Sequence, residues 1–249
     1  MCSSPYNGKK ESEWSEVTDR LISQHPLDPK EIRDITLLCW GRLWETIIGS
    51  GETSIPITEL NVPATVVGYL FEKLFAKELH QRCPDWRGGR TKNEKDLVYE
   101  PDDSKSIEIK TSGQLGTKVY GNRSYGQEGD MPERSKKEKS GYYITINFYE
   151  TTLNLIRFGW IDFNDWVSQV SPTGQMASLN SNVYEYKLEE IPGDYRLEAT
   201  VEIINGIGEK TAGELANLGI MKLRDLRAYA GDDKLALRFK PMLDSGYED

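Results

Sequence analysis

Two short runs of alternating apolar and polar residues, Lys95-Asp96-Leu97-Val98-Tyr99-Glu100 and Ser106-Ile107-Glu108-Ile109-Lys110-Thr111-Ser112, flank the stretch Pro101-Asp102-Asp103-Ser104. Proline presets a turn dihedral and the Asp and Ser side chains bond nearby backbone, so the segment predicts a β-hairpin in which Asp96 and Glu108 meet. The strand period of two sends Ile107 and Ile109 to one face and Glu108 and Lys110 to the other. One face is committed to packing and the other to chemistry.

Two carboxylates and one ammonium at the ends of paired strands form the layout of a magnesium-dependent phosphodiester nuclease. Mg²⁺ takes oxygen ligands, keeps several waters, and binds through one or two carboxylates plus a substrate phosphate. The Ile109 carbonyl offers a further oxygen. Lys110, on the same face as Glu108, is suited to hold the attacking water and to offset charge growing on the phosphorane, while the metal lowers the pKa of that water. Glu-x-Lys is equally the pattern of a half-buried strand with a solvated face. A third acid lies upstream: Val66 to Leu79 is strongly helical, begins after Pro63 near its first position, and carries Glu72 among apolar neighbours. Glu72 is either a member of the site or a solvated helix glutamate with lysine partners.

Helical Glu72, then Asp96, then Glu108-Ile109-Lys110 resembles the PD-(D/E)XK nuclease superfamily, in which an acid and a later acid-x-lysine form the metal site on a mixed sheet. Lys95 stands where that motif usually has proline. Tyr142 to Tyr149 and Leu153 to Asp162 resemble the two remaining sheet strands of a type II restriction endonuclease, and the likeness covers about residues 30 to 190. Length, order and the C-terminal addition are similar to the ScaI-type restriction enzymes. The resemblance implies an α/β, restriction-endonuclease-like mixed β-sheet flanked by helices. It implies Mg²⁺-dependent hydrolysis of double-stranded DNA at a short palindromic site, giving 5′-phosphate and 3′-hydroxyl ends. Asp96, Glu108 and the Ile109 carbonyl would hold the metal, Lys110 would orient the water, and Glu72 would assist. A homodimer matched to the twofold substrate follows, as does a separate DNA methyltransferase acting on the same site in a prokaryotic cytoplasm.

A second signal lies near the C-terminus. Val201-Glu202-Ile203-Ile204-Asn205-Gly206-Ile207-Gly208-Glu209-Lys210-Thr211-Ala212, continuing to Ala216 and followed by Leu218-Gly219-Ile220, resembles a helix-hairpin-helix DNA-binding motif. Gly206 and Gly208 permit a tight turn between two helices, and the second helix begins with N–H groups that suit a phosphate oxygen. Lys210 and Thr211 add a charge and a hydroxyl. Such a module grips the backbone without reading sequence. The plainer reading is an αα-hairpin with glycine caps. The expected division is a nuclease domain over 1–195, with an N-terminal helical segment, and a small all-α region over 196–249.

Glu11 to His25 and Pro29 to Gly49 read as helices, the latter with Leu37, Leu38, Trp40, Leu43 and Trp44 as its apolar stripe; together they cover the sheet or form a dimer interface. Thr111 to Ser140 is rich in Gly, Ser, Lys and Arg and long for a compact domain, which marks it as functional or disordered. We read it as DNA-facing, with Gln114, Asn122, Arg123 and Gln127 of the types that pair with base edges and Lys118 suited to phosphate. Asp162 to Val167 begins a capped short helix, and Ser171 to Asn182 is a further loop.

The formal net charge of −9 excludes a protein coated in cationic surface, yet a cleft enzyme needs positive potential only where phosphates run. Basic residues do gather around the hairpin, from Arg87, Arg90 and Lys92 through Lys139, although Glu133 and Glu138 make a solvated charged loop an equal reading of that run. Three cysteines, Cys2, Cys39 and Cys83, and two separated histidines, His25 and His80, support neither a disulfide framework nor zinc. With no serine elbow, a Ser-His or Cys-His nucleophile lacks support. No apolar run approaches a membrane span and the polar N-terminus lacks a secretory core, which reads as an intracellular protein. Two rivals stay open: a structure-selective repair or recombination nuclease, and a non-catalytic DNA-binding protein on the same fold.

Overall fold

The computed structural model describes residues 4–122, 139–168 and 176–243. Helix α1 spans Trp14–Ser23 after a 3₁₀ turn at Glu11–Glu13, and α2 spans Pro29–Trp44, capped by the Asp28 carboxylate on the Glu31 N–H. A short ribbon follows, β1 at Ile47–Ile48 and β2 at Ile55–Pro56, and then α3 at Ala64–Arg82. The strands β3 (Trp86–Gly88), β4 (Leu97–Tyr99), β5 (Ile107–Gly113) and β6 (Tyr120–Asn122) come next. Beyond them lie β7 (Gly141–Tyr149), β8 (Thr152–Ile161), β9 (Trp166–Ser168), β10 (Met176–Leu179), α4 (Ser181–Tyr186) and β11 (Leu188–Glu190).

The main sheet is mixed and six-stranded, in the order β11-β8-β7-β5-β4-β3. Only β5 and β7 are parallel, with Glu108 beside Tyr143 and Lys110 beside Thr145. The predicted hairpin is present as β4 and β5, antiparallel with Leu97 opposite Ile107 and a 3₁₀ turn at Asp103–Lys105 in its connection. Helices α2 and α3 cover one face, where Ile107, Ile109, Tyr142, Ile144, Ile146, Phe148 and Phe158 join Ile32, Ile35, Phe71 and Phe75 in the principal core. A three-stranded sheet, β6-β10-β9, and α4 lie on the other face, around a second core that includes Val119, Tyr143, Ile161, Trp166 and Val183. Among the described residues no helix is long and apolar enough to cross a membrane.

Four sequence expectations in this part of the chain are corrected, and a fifth follows in the C-terminal region. Helix α2 stops at Trp44 and not at Gly49, because Thr46-Ile47-Ile48 is β-branched and pairs with β2, and Gly49 turns at a φ of +90°. Its buried stripe is Ile32, Ile35, Thr36, Cys39, Trp40 and Leu43, spaced at three and four residues; Leu37 and Leu38 fall off that stripe and are exposed. Within 171–182, Met176–Leu179 is a strand and Ser181 starts α4, although the sequence reads as loop. The capped turn at Asp162 is only a 3₁₀ turn, Phe163–Asp165, before β9 begins.

Downstream, Tyr195 ties the chain to the main sheet: its hydroxyl accepts from the Ile156 N–H at 3.0 Å and donates to the Ile191 carbonyl at 2.7 Å. A separate core then forms from Ala199, Val201, Ile204, Ile207, Leu215, Ile220, Leu223, Leu226 and Phe239. It is built by α5 (Glu209–Ala216), α6 (Leu223–Ala228) and α7 (Lys234–Phe239). The element before the Gly206 turn is a 3₁₀ turn, Val201–Ile203, and not the expected helix. The β-branched residues on either side of it, Thr200 and Ile204, are extended, and Thr200 forms a β-bridge with Lys222.

Candidate active site

The site is built where β4 begins. The Asp96 carboxylate accepts a hydrogen bond from the Ile109 N–H at 2.8 Å, so a side chain completes the ladder one step past the last paired backbone. A strand residue sends its N–H and C=O to the same side, so the Ile109 carbonyl also faces Asp96. On the next residue inward, Glu108 is only 3% exposed, and Lys110 Nζ sits 2.7 Å from its Oε1. Asp96, Glu108, Ile109 and Lys110 are therefore brought together as the hairpin predicts.

Burial alone would pull the Lys110 ammonium down, but the Glu108 and Asp96 carboxylates and the Tyr143 hydroxyl outweigh it, and its pKa stands above the ordinary lysine value. The donor chemistry suits a hard divalent cation: Asp96, Glu108 and the Ile109 carbonyl are oxygen donors on adjoining parts of the hairpin, and an ammonium is held at Glu108 Oε1. Among the described residues no three His, Cys, Asp or Glu side chains cluster closely enough to share an ion. Metal held here would rely on two carboxylates, with water and phosphate for the rest.

Glu72 approaches from elsewhere. Helix α3 lies on the Ile107 and Ile109 face, opposite Glu108 and Lys110, and packs closely because Gly68 has no side chain: a Cβ there would stand 2.2 Å from Thr111 Oγ1. Glu72 is one turn beyond Gly68 and one before Ala76, which touches Gly88, so it shares the stripe that meets the sheet. Its carboxylate pairs with Lys73 at 2.5 Å, and that hydrogen bond, with help from Asp96, raises the Lys73 pKa. Glu72 thus belongs to the helix on the opposite face of the sheet from the Glu108 and Lys110 side chains.

The sequence reading missed Tyr143. It lies beside Glu108 in register, donates to the Lys139 carbonyl at 2.6 Å, and carries Lys95 Nζ over its ring at 5.2 Å from the centroid. Lys95, in the position of the motif's proline, also donates to the Ser140 carbonyl at 3.1 Å. Tyr143 could have been found from alternation, since Tyr143, Thr145 and Asn147 must share a face of β7.

Of the expected DNA contacts, Gln114, Lys118 and Asn122 are exposed on the path from β5 to β6; Arg123 and Gln127 lie outside the described residues. Arg87, in the basic run, is engaged by Glu94 and Glu100. Gly206 turns at a φ of +93° and Gly208 is the N-cap of α5. Gly206, Gly208 and Lys210 are exposed and Thr211 is half-buried, so this turn presents its backbone to solvent.

Comparison with known proteins adds a family. A model described as ScaI restriction endonuclease matches residues 4–192. A type II restriction enzyme ScaI from Streptomyces caespitosus is 39% identical over 193 residues, covering 74% of this chain and 83% of that protein. No solved structure matches the chain.

Proposed function

Because the chain belongs to the ScaI restriction endonuclease family and is a sequence-specific type II restriction endonuclease acting on DNA, we propose that it hydrolyses both strands of a short palindromic site with Asp96, Glu108 and Lys110 as its catalytic group. The observation that carries this reading is the Asp96 carboxylate hydrogen-bonded to the Ile109 N–H, because it brings the first acid onto the strand that holds the second acid and the lysine.

Asp96, Glu108 and the Ile109 carbonyl would hold a divalent cation, for which we propose Mg²⁺. Bound there, it would acidify a water and neutralise charge on the phosphate. Lys110 orients that water through its ammonium and meets negative charge as the phosphorane forms. The buried Glu108 keeps the ammonium from swinging away. Glu72 would assist through bridging water. Cleavage leaves 5′-phosphate and 3′-hydroxyl ends.

The activity belongs to a restriction-modification setting, and we propose a separate methyltransferase on the same site within a prokaryotic cytoplasm. A homodimer fits a twofold site, because two matched halves favour an isologous pair. The principal and second cores together support a nuclease domain over 1–195. The separate C-terminal core supports a small helical region over 196–249, whose Gly206, Gly208, Lys210 and Thr211 would rest on a phosphate as a helix-hairpin-helix does. Gln114, Lys118, Asn122, Arg123 and Gln127 would meet the duplex on the path from β5 to β7.

The test is to incubate the protein with unmethylated genomic DNA and MgCl₂, beside an EDTA control and Lys110→Ala, and to sequence the ends. Fragments sharing one terminal sequence, absent from both controls, support the reading. Cleavage that persists in EDTA or in Lys110→Ala, or that is confined to branched substrates, overturns it.

A further inference from the structure

Three consecutive residues between β5 and β6 are held by side chains from three different elements, two of them buried and the third, Tyr184, half-buried. Arg157 of β8 donates from its Nη1 to the Thr117 carbonyl at 3.0 Å, and Asn147 of β7 donates from Nδ2 to the Lys118 carbonyl at 2.9 Å. The Tyr184 hydroxyl of α4 accepts from the Val119 N–H at 3.0 Å and donates to the Val119 carbonyl at 3.3 Å. The three are also joined to one another: Arg157 Nη1 donates to Asn147 Oδ1 at 3.1 Å, and its guanidinium lies 5.2 Å from the Tyr184 ring centroid. Glu190 of β11 faces Arg157 at 3.5 Å.

This arrangement is costly as a mere filler of the core. Arg157 is 3% exposed and Asn147 fully buried, in the middle of long strands where apolar residues of similar volume would pack without desolvating a charge. What the polar groups supply, and apolar ones would not, is a fixed position for the backbone of 117–119. The cross-strand row that carries Arg157 also carries Lys110. Lys110 pairs with Thr145, and Thr145 pairs with Arg157, so the guanidinium stands two strands from the ammonium on one face of the sheet, about 10 Å at ordinary strand spacing. Asn147 occupies the adjacent row, beside Ser112.

We propose that Arg157, Asn147 and Tyr184 form a clamp that sets the fidelity of the cut, by fixing the backbone from Thr117 to Val119 at a constant height above Lys110. The Lys118 side chain stays exposed while its carbonyl is held inward, so the clamp orients a group toward the duplex without touching it. A base pair that displaces this segment would then displace β6 relative to the acid-x-lysine strand, and the scissile phosphate with it. These are positioning residues. The inference rests on the sequence-specific endonuclease reading and not on which acids hold the metal.

The experiment uses the full chain and a pool of randomised duplexes, with the cut ends sequenced, because such a pool offers every short site at once. Tyr184→Phe removes both hydrogen bonds to Val119 and keeps the ring over Arg157. Two hydrogen bonds at their usual net worth correspond to about tenfold or more. The cut pool of Tyr184→Phe should therefore contain sequences one base pair away from the consensus at about ten times the wild-type share, while the melting temperature falls by only a few degrees and the chain stays folded at the assay temperature. Asn147→Ser, which releases the Lys118 carbonyl, is the second variant and should act alike. Equal consensus purity in wild type and in the folded variants, or activity that falls equally on all sequences in step with melting temperature, would overturn the clamp. A wild-type pool with no consensus would overturn the sequence-specific reading itself, and the clamp with it.

Discussion

Asp96 is held by the very strand it serves: its carboxylate accepts the Ile109 N–H at 2.8 Å, between Glu108 and Lys110. The acid at the start of one strand thus takes its rotamer from the residue that separates the other two functional groups. Asp96→Asn keeps an oxygen for that N–H and removes only the charge, whereas Asp96→Ala removes both. Both variants should lose on the order of 10²–10³-fold in single-turnover cleavage. Only the alanine variant should also lose stability, by about 1–3 kcal/mol, for leaving a buried donor unmade. Stability within error for both, or a cleavage rate within tenfold of wild type for Asp96→Asn, would contradict this account.

The contact between α3 and β5 makes Gly68 indispensable. A Cβ would stand 2.2 Å from Thr111 Oγ1, one residue past Lys110. Gly68→Ala should destabilise by about 1–3 kcal/mol, the usual cost of an overpacked core. Thr111→Ala in the same chain removes the offending oxygen and should restore most of it. Urea melts of the two single variants and the double variant would reveal whether the coupling is present.

Lys187 is 3% exposed and lies 2.9 Å from carboxylate oxygens of both Asp162 and Asp165, under the rings of Tyr6 and Trp14. Lys187→Met strands two buried carboxylates and should cost about 3–5 kcal/mol. Burial already raises the Asp165 pKa against the pull of Lys187, and without that ammonium it should rise further. A carboxylate with a raised folded pKa is relieved by protonation, so the variant should regain part of the loss as pH falls. Chemical denaturation at two pH values would check both the size and the sign.

Sequence reasoning found the hairpin, its two acids and its lysine because each follows from a local rule: turn residues, a period of two, and the demands of a hard ion. Glu72 was placed on the correct helix, but its face was not legible, since that depends on Gly68 letting α3 settle on the Ile109 side. The small sheet went unseen for a similar reason. Met176 to Leu179 is too short to show a pattern, and it becomes a strand by pairing with β6 and β9. The clamp residues Asn147 and Arg157 read as ordinary strand positions, because nothing in one strand announces what its neighbour's loop will require.

His25 offers a test by pH. Its Nδ1 accepts from the Leu27 N–H at 3.1 Å, its Nε2–H donates to the Lys105 carbonyl at 3.0 Å, and its ring lies against Tyr142 and Phe158. Burial lowers its pKa below 6.5, so the unfolded chain takes up the proton first. Stability is therefore full above the ordinary histidine value and is lost as pH falls through about 6.5. Melting temperature should decline over that range in the wild type. In His25→Gln it should stay level until the carboxylates begin to protonate.

Lys210 is exposed beside the Gly208 N-cap of α5. If it meets a phosphate, Lys210→Gln should weaken DNA binding to all sequences alike and lower the slope of log affinity against log salt by about one. The sequence cut should not change. Fluorescence anisotropy across a salt series, with one specific and one random duplex, would measure it.

The lone parallel pair in the sheet has an evolutionary consequence. Strands that run the same way cannot be joined by a tight turn, so a long return path must join Gly113 at the end of β5 to Gly141 at the start of β7. A lineage can therefore lengthen, shorten or rewrite that return path while the hydrogen-bonded ladder on either side stays as it is. If that path meets the duplex as proposed, new target preferences can arise by insertion and deletion there, with the paired strands that carry Glu108 and Lys110 inherited unchanged.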